Sequence, residues 1–142
     1  MSETDKDEVF SSLVKDVEST GVSVLCLCGE LDASTVPGFL ADARDVIERR
    51  RNVIMDVHLL DYVDSTGVAA MLSTRNALVS EGRKMYLVGC HGLLSRVLRI
   101  TQAEMELLCL DDLDTAMERL IREEDALPAP SPYEGWGEGE RP

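Results

Sequence analysis

Apolar positions along this chain follow two rhythms, one of period two and one of period three to four, and the switches between them mark its elements. Residues 9–17 (VFSSLVKDV) alternate loosely and residues 22–28 (VSVLCLC) form a second apolar stretch. Glu18-Ser19-Thr20-Gly21 supplies a turn between them, so the pair reads as an N-terminal hairpin. Gly29-Glu30-Leu31-Asp32 closes the second strand, after which Ser34 or Thr35 is placed to cap a helix with Pro37 in its first turn. Val36, Phe39, Leu40, Ala43, Val46 and Ile47 fall at helical spacing, and Arg49-Arg50-Arg51 ends the helix where the dipole is negative.

The most informative stretch is NVIMDVHLLDYVDSTGVAAML, from Asn52 to Leu72. Val53, Ile54, Met55 and Val57 form a nearly continuous apolar run, as in a strand buried on both faces. Val68, Met71, Leu72, Arg75, Leu78 and Val79 then recur as on a helix. Between them the spacing predicts a polar turn over Asp61–Gly67, with the Ser65 hydroxyl at or just before a helix N-terminus. Unpaired N–H groups and a partial positive charge at such a terminus can receive an anion, so a serine there can carry a phosphate. The competing reading is that Ser65 is an ordinary N-cap.

After a break at Glu81-Gly82 come a fourth strand (84–90), a short helix (92–102), a fifth strand near 105–110 and a helix near 112–124. The pattern predicts an α/β domain: a small mixed sheet of about five strands, hairpin first and then parallel strands, with about four helices packed on it. Right-handed crossovers join the parallel strands, and the functional surface is expected at their carboxyl ends, where Asp64-Ser65-Thr66-Gly67 falls. Residues 1–8 read as a flexible N-terminus, 9–124 as the domain, and 125–142, rich in Pro, Gly and Glu, as a disordered tail.

A formal charge of −13 over 142 residues argues against nucleic acid or an anionic membrane surface as a partner. Hydrophobic content of 44% supports a folded domain. The N-terminal residues are acidic and contain no apolar core of a signal peptide, which sets the expectation of a cytoplasmic protein. No window is long enough to span a bilayer. In that compartment Cys26, Cys28, Cys90 and Cys109 are expected as reduced core residues. His58, Cys90 and His91 lack paired metal-ligand spacing, and neither a Walker A loop nor a Rossmann glycine signature is present, so no metal or cofactor is expected.

Gly29-Glu30-Leu31-Asp32 together with Val63-Asp64-Ser65-Thr66-Gly67 resembles the STAS domain of bacterial anti-sigma factor antagonists, over roughly residues 9–124. The resemblance implies a partner-switching protein rather than an enzyme. Unphosphorylated, such a domain binds an anti-sigma factor, a histidine-kinase-like ATPase acting as a serine kinase, and so frees a sigma factor. Phosphorylation releases it and a serine phosphatase resets it. Carried onto this chain, Ser65 is the acceptor and Thr66 a secondary one. Asp32, Asp64, Ser65, Thr66 and Gly67 form the partner surface, with the aspartates placed to orient Ser65.

Physical chemistry supports the same roles. A hydroxyl on a rigid strand-to-helix turn is held for attack on a partner's ATP, and Gly67 lets another backbone come close. The fold can bury its own core, so a monomer is expected. Two other functions fit these residues. One is a STAS subunit of another assembly, such as a stressosome or a lipid-transport complex. The other is a small α/β enzyme using Asp64 and Ser65, against which no histidine or lysine base is evident. Arg75, Arg83, Arg96 and Arg99 read either as partner contacts or as solvated helix faces, and Tyr133 and Trp136 as possible anchors in the tail.

Overall fold

The order of elements in the computed structural model, which describes residues 9–125, is two strands followed by alternating helices and strands. They are β1 (Phe10–Val17), β2 (Val22–Leu31), α1 (Val36–Glu48), β3 (Asn52–Val63), α2 (Ser65–Ser80), β4 (Met85–Val88), α3 (Gly92–Ile100), β5 (Cys109–Leu110) and α4 (Leu113–Asp125). One five-stranded sheet has the order β1-β2-β3-β4-β5, antiparallel between β1 and β2 and parallel thereafter. The expected mixed sheet with four helices is therefore the observed fold.

Side-chain alternation sorts the sheet into two faces. Leu25, Leu27, Leu31, Val53, Met55, Val57 and Leu87 pack under Phe39 and Val46 of α1, Met71 and Leu78 of α2, and Leu94 and Leu98 of α3. Val22, Val24, Ile54, Tyr86 and Val88 face the other way, against Ala116 and Leu120 of α4. Central strands covered on both sides explain the unbroken apolar run at residues 53–55.

The fourth strand and the helix after it are two to three residues shorter than read in the sequence, and three further boundaries differ in ways that matter for the site or the core. β2 continues to Leu31 and β3 to Val63, so Asp61, Tyr62 and Val63 are strand rather than turn. Parallel pairing with β2 extends the strand through these polar positions, with register shifts near Cys26/Cys28 and Gly29/Glu30 absorbing the irregularity. The expected fifth strand shrinks to Cys109–Leu110. Ahead of it, Leu107 N–H bonds the Ala103 carbonyl at 2.8 Å, a helix-like turn that buries Ala103 and Leu107 in the core without sheet pairing.

The arginine run does more than end a helix. Arg51 donates to the Val17 and Val22 carbonyls at 3.0 Å each and to Ser23 Oγ at 3.1 Å, while Arg49 pairs with Asp16 at 2.8 Å. These bonds pin the turn of the β1–β2 hairpin to the end of α1. The expectations for residues 1–8 and 126–142 lie outside the described residues.

Candidate functional site

The parallel register pairs Leu31 with Val63, so the next residues on the two chains, Asp32 and Asp64, leave the sheet side by side. Neighbouring strands run about 4.8 Å apart, which is how motifs distant in sequence come to share one sheet end. The Asp64 N–H donates to the Leu31 carbonyl at 3.3 Å, tying the two motifs directly.

Asp64 is extended and caps α2: its Oδ1 accepts from the Gly67 N–H at 3.0 Å, and its carbonyl accepts from Val68 at 3.0 Å. Ser65 is therefore the first helical residue and not the N-cap. Its side chain is exposed, as is that of Thr66, and no hydrogen bond among the described residues engages either hydroxyl. Among the described residues no hydrogen bond couples a basic side chain to the Ser65 hydroxyl.

Gly67 has a different task from the one expected. It is buried, and a Cβ there would lie 2.7 Å from the Leu31 carbonyl oxygen and 2.9 Å from Val63 Cγ2. The close approach it permits is internal, α2 against the end of β2, and is not an opening for a partner's backbone. Sequence alone suggested a close approach at Gly67; the atom it makes room for follows only from the Leu31–Val63 register.

Asp32 does not orient Ser65 either. Its Oδ1 accepts from the Ser34 N–H at 3.0 Å, the Ser34 hydroxyl at 2.8 Å and the Thr35 N–H at 3.3 Å. The Ser34 hydroxyl above all holds its carboxyl below the ordinary 3.8; burial, the next largest effect, opposes this, and the Ser34 and Thr35 amides and the Thr35 hydroxyl add to the lowering. Thr35 occupies the N-cap of α1, yet its hydroxyl donates to the Glu30 carbonyl at 2.8 Å instead of capping. Asp32 thus takes the stabilising role at this turn that Ser34 or Thr35 was expected to fill. Each aspartate braces its own helix entry, and together the two turns present Ser65, Thr66 and Ser34 to solvent.

Sequence reasoning missed apolar surface beside this site. Leu59 and Tyr62 of β3 are 50% and 43% exposed on the strand leading to Asp64. A strand assignment through residue 63, with its polar and apolar positions out of simple alternation, was the available signal. His58 shares a 2.8 Å hydrogen bond with Asp56 Oδ1, and His91 Nε2 contacts the His58 carbonyl at 3.0 Å. Among the described residues no cluster of His, Cys, Asp and Glu is arranged to hold a metal ion.

The cysteines depart from the expectation of four reduced core residues. Cys90 and Cys109 are joined by a disulfide, because the carboxyl end of β4 and the start of β5 run side by side. Cys28 is exposed and Cys26 half-buried, facing α4 rather than the larger core. Desolvation, then the charge of Asp56, pushes the Cys26 thiol pKa up, so Cys26 stays a thiol at neutral pH.

Among the described residues, no helix is long and apolar enough to cross a membrane. The STAS domain family model matches residues 14–116. The anti-sigma-B factor antagonist of Staphylococcus aureus is 30% identical over 76 residues, covering 51% of this chain and 68% of that protein. In structure, the fold matches an anti-sigma factor antagonist from Mycobacterium paratuberculosis with a TM-score of 0.71 at 22% identity, over 78% of this chain and 93% of the other. It also matches the Bacillus cell fate determinant SpoIIAA in its phosphorylated form, with a TM-score of 0.59 at 19% identity, over 78% and 99% of the two chains. The chain belongs to the STAS domain family, and the proteins it resembles include several named anti-sigma factor antagonists.

Proposed function

We propose that this protein is a cytoplasmic anti-sigma factor antagonist switched by phosphorylation at Ser65. Unphosphorylated, it docks as a monomer on a histidine-kinase-like anti-sigma factor and so releases a sigma factor. That partner then transfers a phosphoryl group from ATP to the Ser65 oxygen, the complex dissociates, and a serine phosphatase restores the docking form. Thr66 is the secondary acceptor. The protein itself catalyses nothing.

The observation that carries this reading is the free, exposed Ser65 hydroxyl at the first position of a sixteen-residue helix whose cap is supplied by Asp64. Because capping is done by the neighbour, the hydroxyl is left without an internal task, and phosphorylation removes no hydrogen bond from the fold. Phosphate adds about −1.5 to −2 charges. In the free domain the start of α2 and water accommodate that charge. In a packed complex it is desolvated close to Asp64 and Asp32, and a penalty of about 2–3 kcal/mol weakens binding about 30- to 150-fold. Leu59 and Tyr62 supply the apolar part of the docking surface.

Incubation with the anti-sigma kinase and ATP, followed by phosphopeptide mass spectrometry, tests the assignment. Label is expected on Ser65 and is lost in Ser65→Ala apart from a minor fraction on Thr66. Undiminished label at a residue outside this turn contradicts the reading.

A further inference from the structure

The Cys90–Cys109 disulfide opens onto a surface cavity of about 290 Å³, lined also by Ser95 and Arg99 of α3 and by Glu104. Cys109 is exposed and Cys90 half-buried, so an incoming group meets the Cys109 side of the bond first. Arg99 and Glu104, both exposed, bring one charge of each sign to this cavity. Neither forms an ion pair among the described residues. A disulfide in a cavity with an unpaired cation and an unpaired anion fits a small molecule carrying a carboxylate, an ammonium group and a thiol.

We propose that Cys90–Cys109 is a thiol-exchange site for a low-molecular-weight zwitterionic thiol of the cysteinyl-peptide class. The cavity lies close to the roughly 300 Å³ lower bound of small-molecule pockets and suits a ligand of that size. The unequal settings of the two sulfurs fix the order of steps. The small thiolate attacks Cys109 Sγ, a mixed disulfide forms, and the electron pair of the broken bond leaves on Cys90. Cys90 directly precedes the helix-capping residue His91 of α3, where first-turn N–H groups and the positive dipole end favour a thiolate. A better-stabilised thiolate leaves faster, and it then takes a proton from water. A second small thiolate attacks the sulfur of the bound one, releasing Cys109 as a thiolate that is protonated in turn. The small molecule departs oxidised as its disulfide, and the protein has gained two electrons and two protons. The same small disulfide, as oxidant, closes the bond by the reverse steps.

The bond ties β5 to β4 where two residue pairs hold them, Leu87 with Cys109 and Val88 with Leu110. The Leu87 N–H donates to the Leu108 carbonyl at 2.8 Å across this junction. Opening the disulfide therefore loosens the edge strand. The supply of reductant rests on the cytoplasmic part of the reading above, where disulfides are mostly transient or redox-sensing. The exchange chemistry itself does not.

Native full-length protein incubated with reduced glutathione, acid-quenched, alkylated and mapped by mass spectrometry tests the site. The bond is expected to open without denaturant, and the trapped intermediate to carry glutathione on Cys109 and the alkyl label on Cys90. Arg99→Ala with Glu104→Ala should slow opening by glutathione about fivefold, the worth of two exposed charge contacts. Opening by the uncharged 2-mercaptoethanol should be unaffected. Far-UV circular dichroism checks that this variant is folded, and trapping in the wild-type chain carries the test without it. Opening only under denaturing conditions, glutathione on Cys90, or equal slowing of both thiols each overturns the proposal. Hydrogen exchange at the Leu87 amide should quicken in the opened form, and unchanged exchange overturns the loosening of β5. None of these measurements uses the anti-sigma partner, so they succeed or fail independently of the Ser65 reading.

Discussion

Replacing Gly67 by alanine tests how tightly the site is built. On helix propensity alone the change should stabilise the protein, by up to about 1 kcal/mol and less in the first turn. The surroundings reverse the sign. An alanine Cβ would stand 2.7 Å from the Leu31 carbonyl oxygen, 2.9 Å from Val63 Cγ2 and 3.0 Å from Leu31 Cγ, and the first of these is backbone in a paired strand. Overpacking of this kind costs about 1–3 kcal/mol, so Gly67→Ala should lower stability by about 1–2 kcal/mol net. Relief requires the start of α2 to move away from β2, lengthening the Asp64–Leu31 bond and disturbing the Ser65 backbone position. Gly38→Ala is the control: it lies in α1 with nothing within 4 Å of the new Cβ, and should stabilise by about 0.5 kcal/mol. Urea unfolding followed by circular dichroism gives both values. Gly67→Ala unchanged or stabilised, with the slope of the transition unaltered, would refute the close seating of α2 on Leu31.

Arg51→Ala, which removes bonds to the Val17 and Val22 carbonyls and Ser23, should destabilise by about 2–3 kcal/mol in the same assay. Asp32 has a folded pKa below its ordinary 3.8, so its contribution is complete above that value and is lost as pH falls toward the depressed one. The stability difference between wild type and Asp32→Asn should accordingly shrink as pH is lowered below 3.8, and a gap that persists to lower pH contradicts the assignment. Thiol counting on the denatured, unreduced chain should find Cys26 and Cys28 alone, and reduction of the Cys90–Cys109 bond, which closes a loop of sequence separation 19, should cost about 3 kcal/mol.

Much of this architecture was legible because the hydrophobic periods are strong. The unbroken run Val53–Met55 announced a strand covered on both faces, and the spacing of Val68, Met71 and Leu78 announced the helix that follows. What could not be read was pairing between distant segments. Leu31 opposite Val63 decides that Asp32 and Asp64 are neighbours, that β3 runs on through Tyr62, and that Gly67 is needed for a carbonyl of another strand. Met105–Leu110 misled for a related reason: a six-residue segment apolar at all but Glu106 suits a strand or a buried turn, and Leu107 and Ala103 took the turn. Cys90 and Cys109 are likewise brought together by the parallel pairing of β4 with β5, which no spacing reveals. At the site itself the residue types were evident, but the division of labour was not. The choice of Asp64 over Ser65 as cap rests on one backbone conformation, and it is this choice that leaves the hydroxyl free.

The most direct test of the account is the affinity of the anti-sigma kinase for this protein before and after phosphorylation, measured by titration calorimetry, with Ser65→Ala alongside. The account predicts that the unmodified protein and Ser65→Ala bind alike, and that the Ser65-phosphorylated form binds about 30- to 150-fold more weakly. Equal affinity of the phosphorylated and unmodified forms would contradict it.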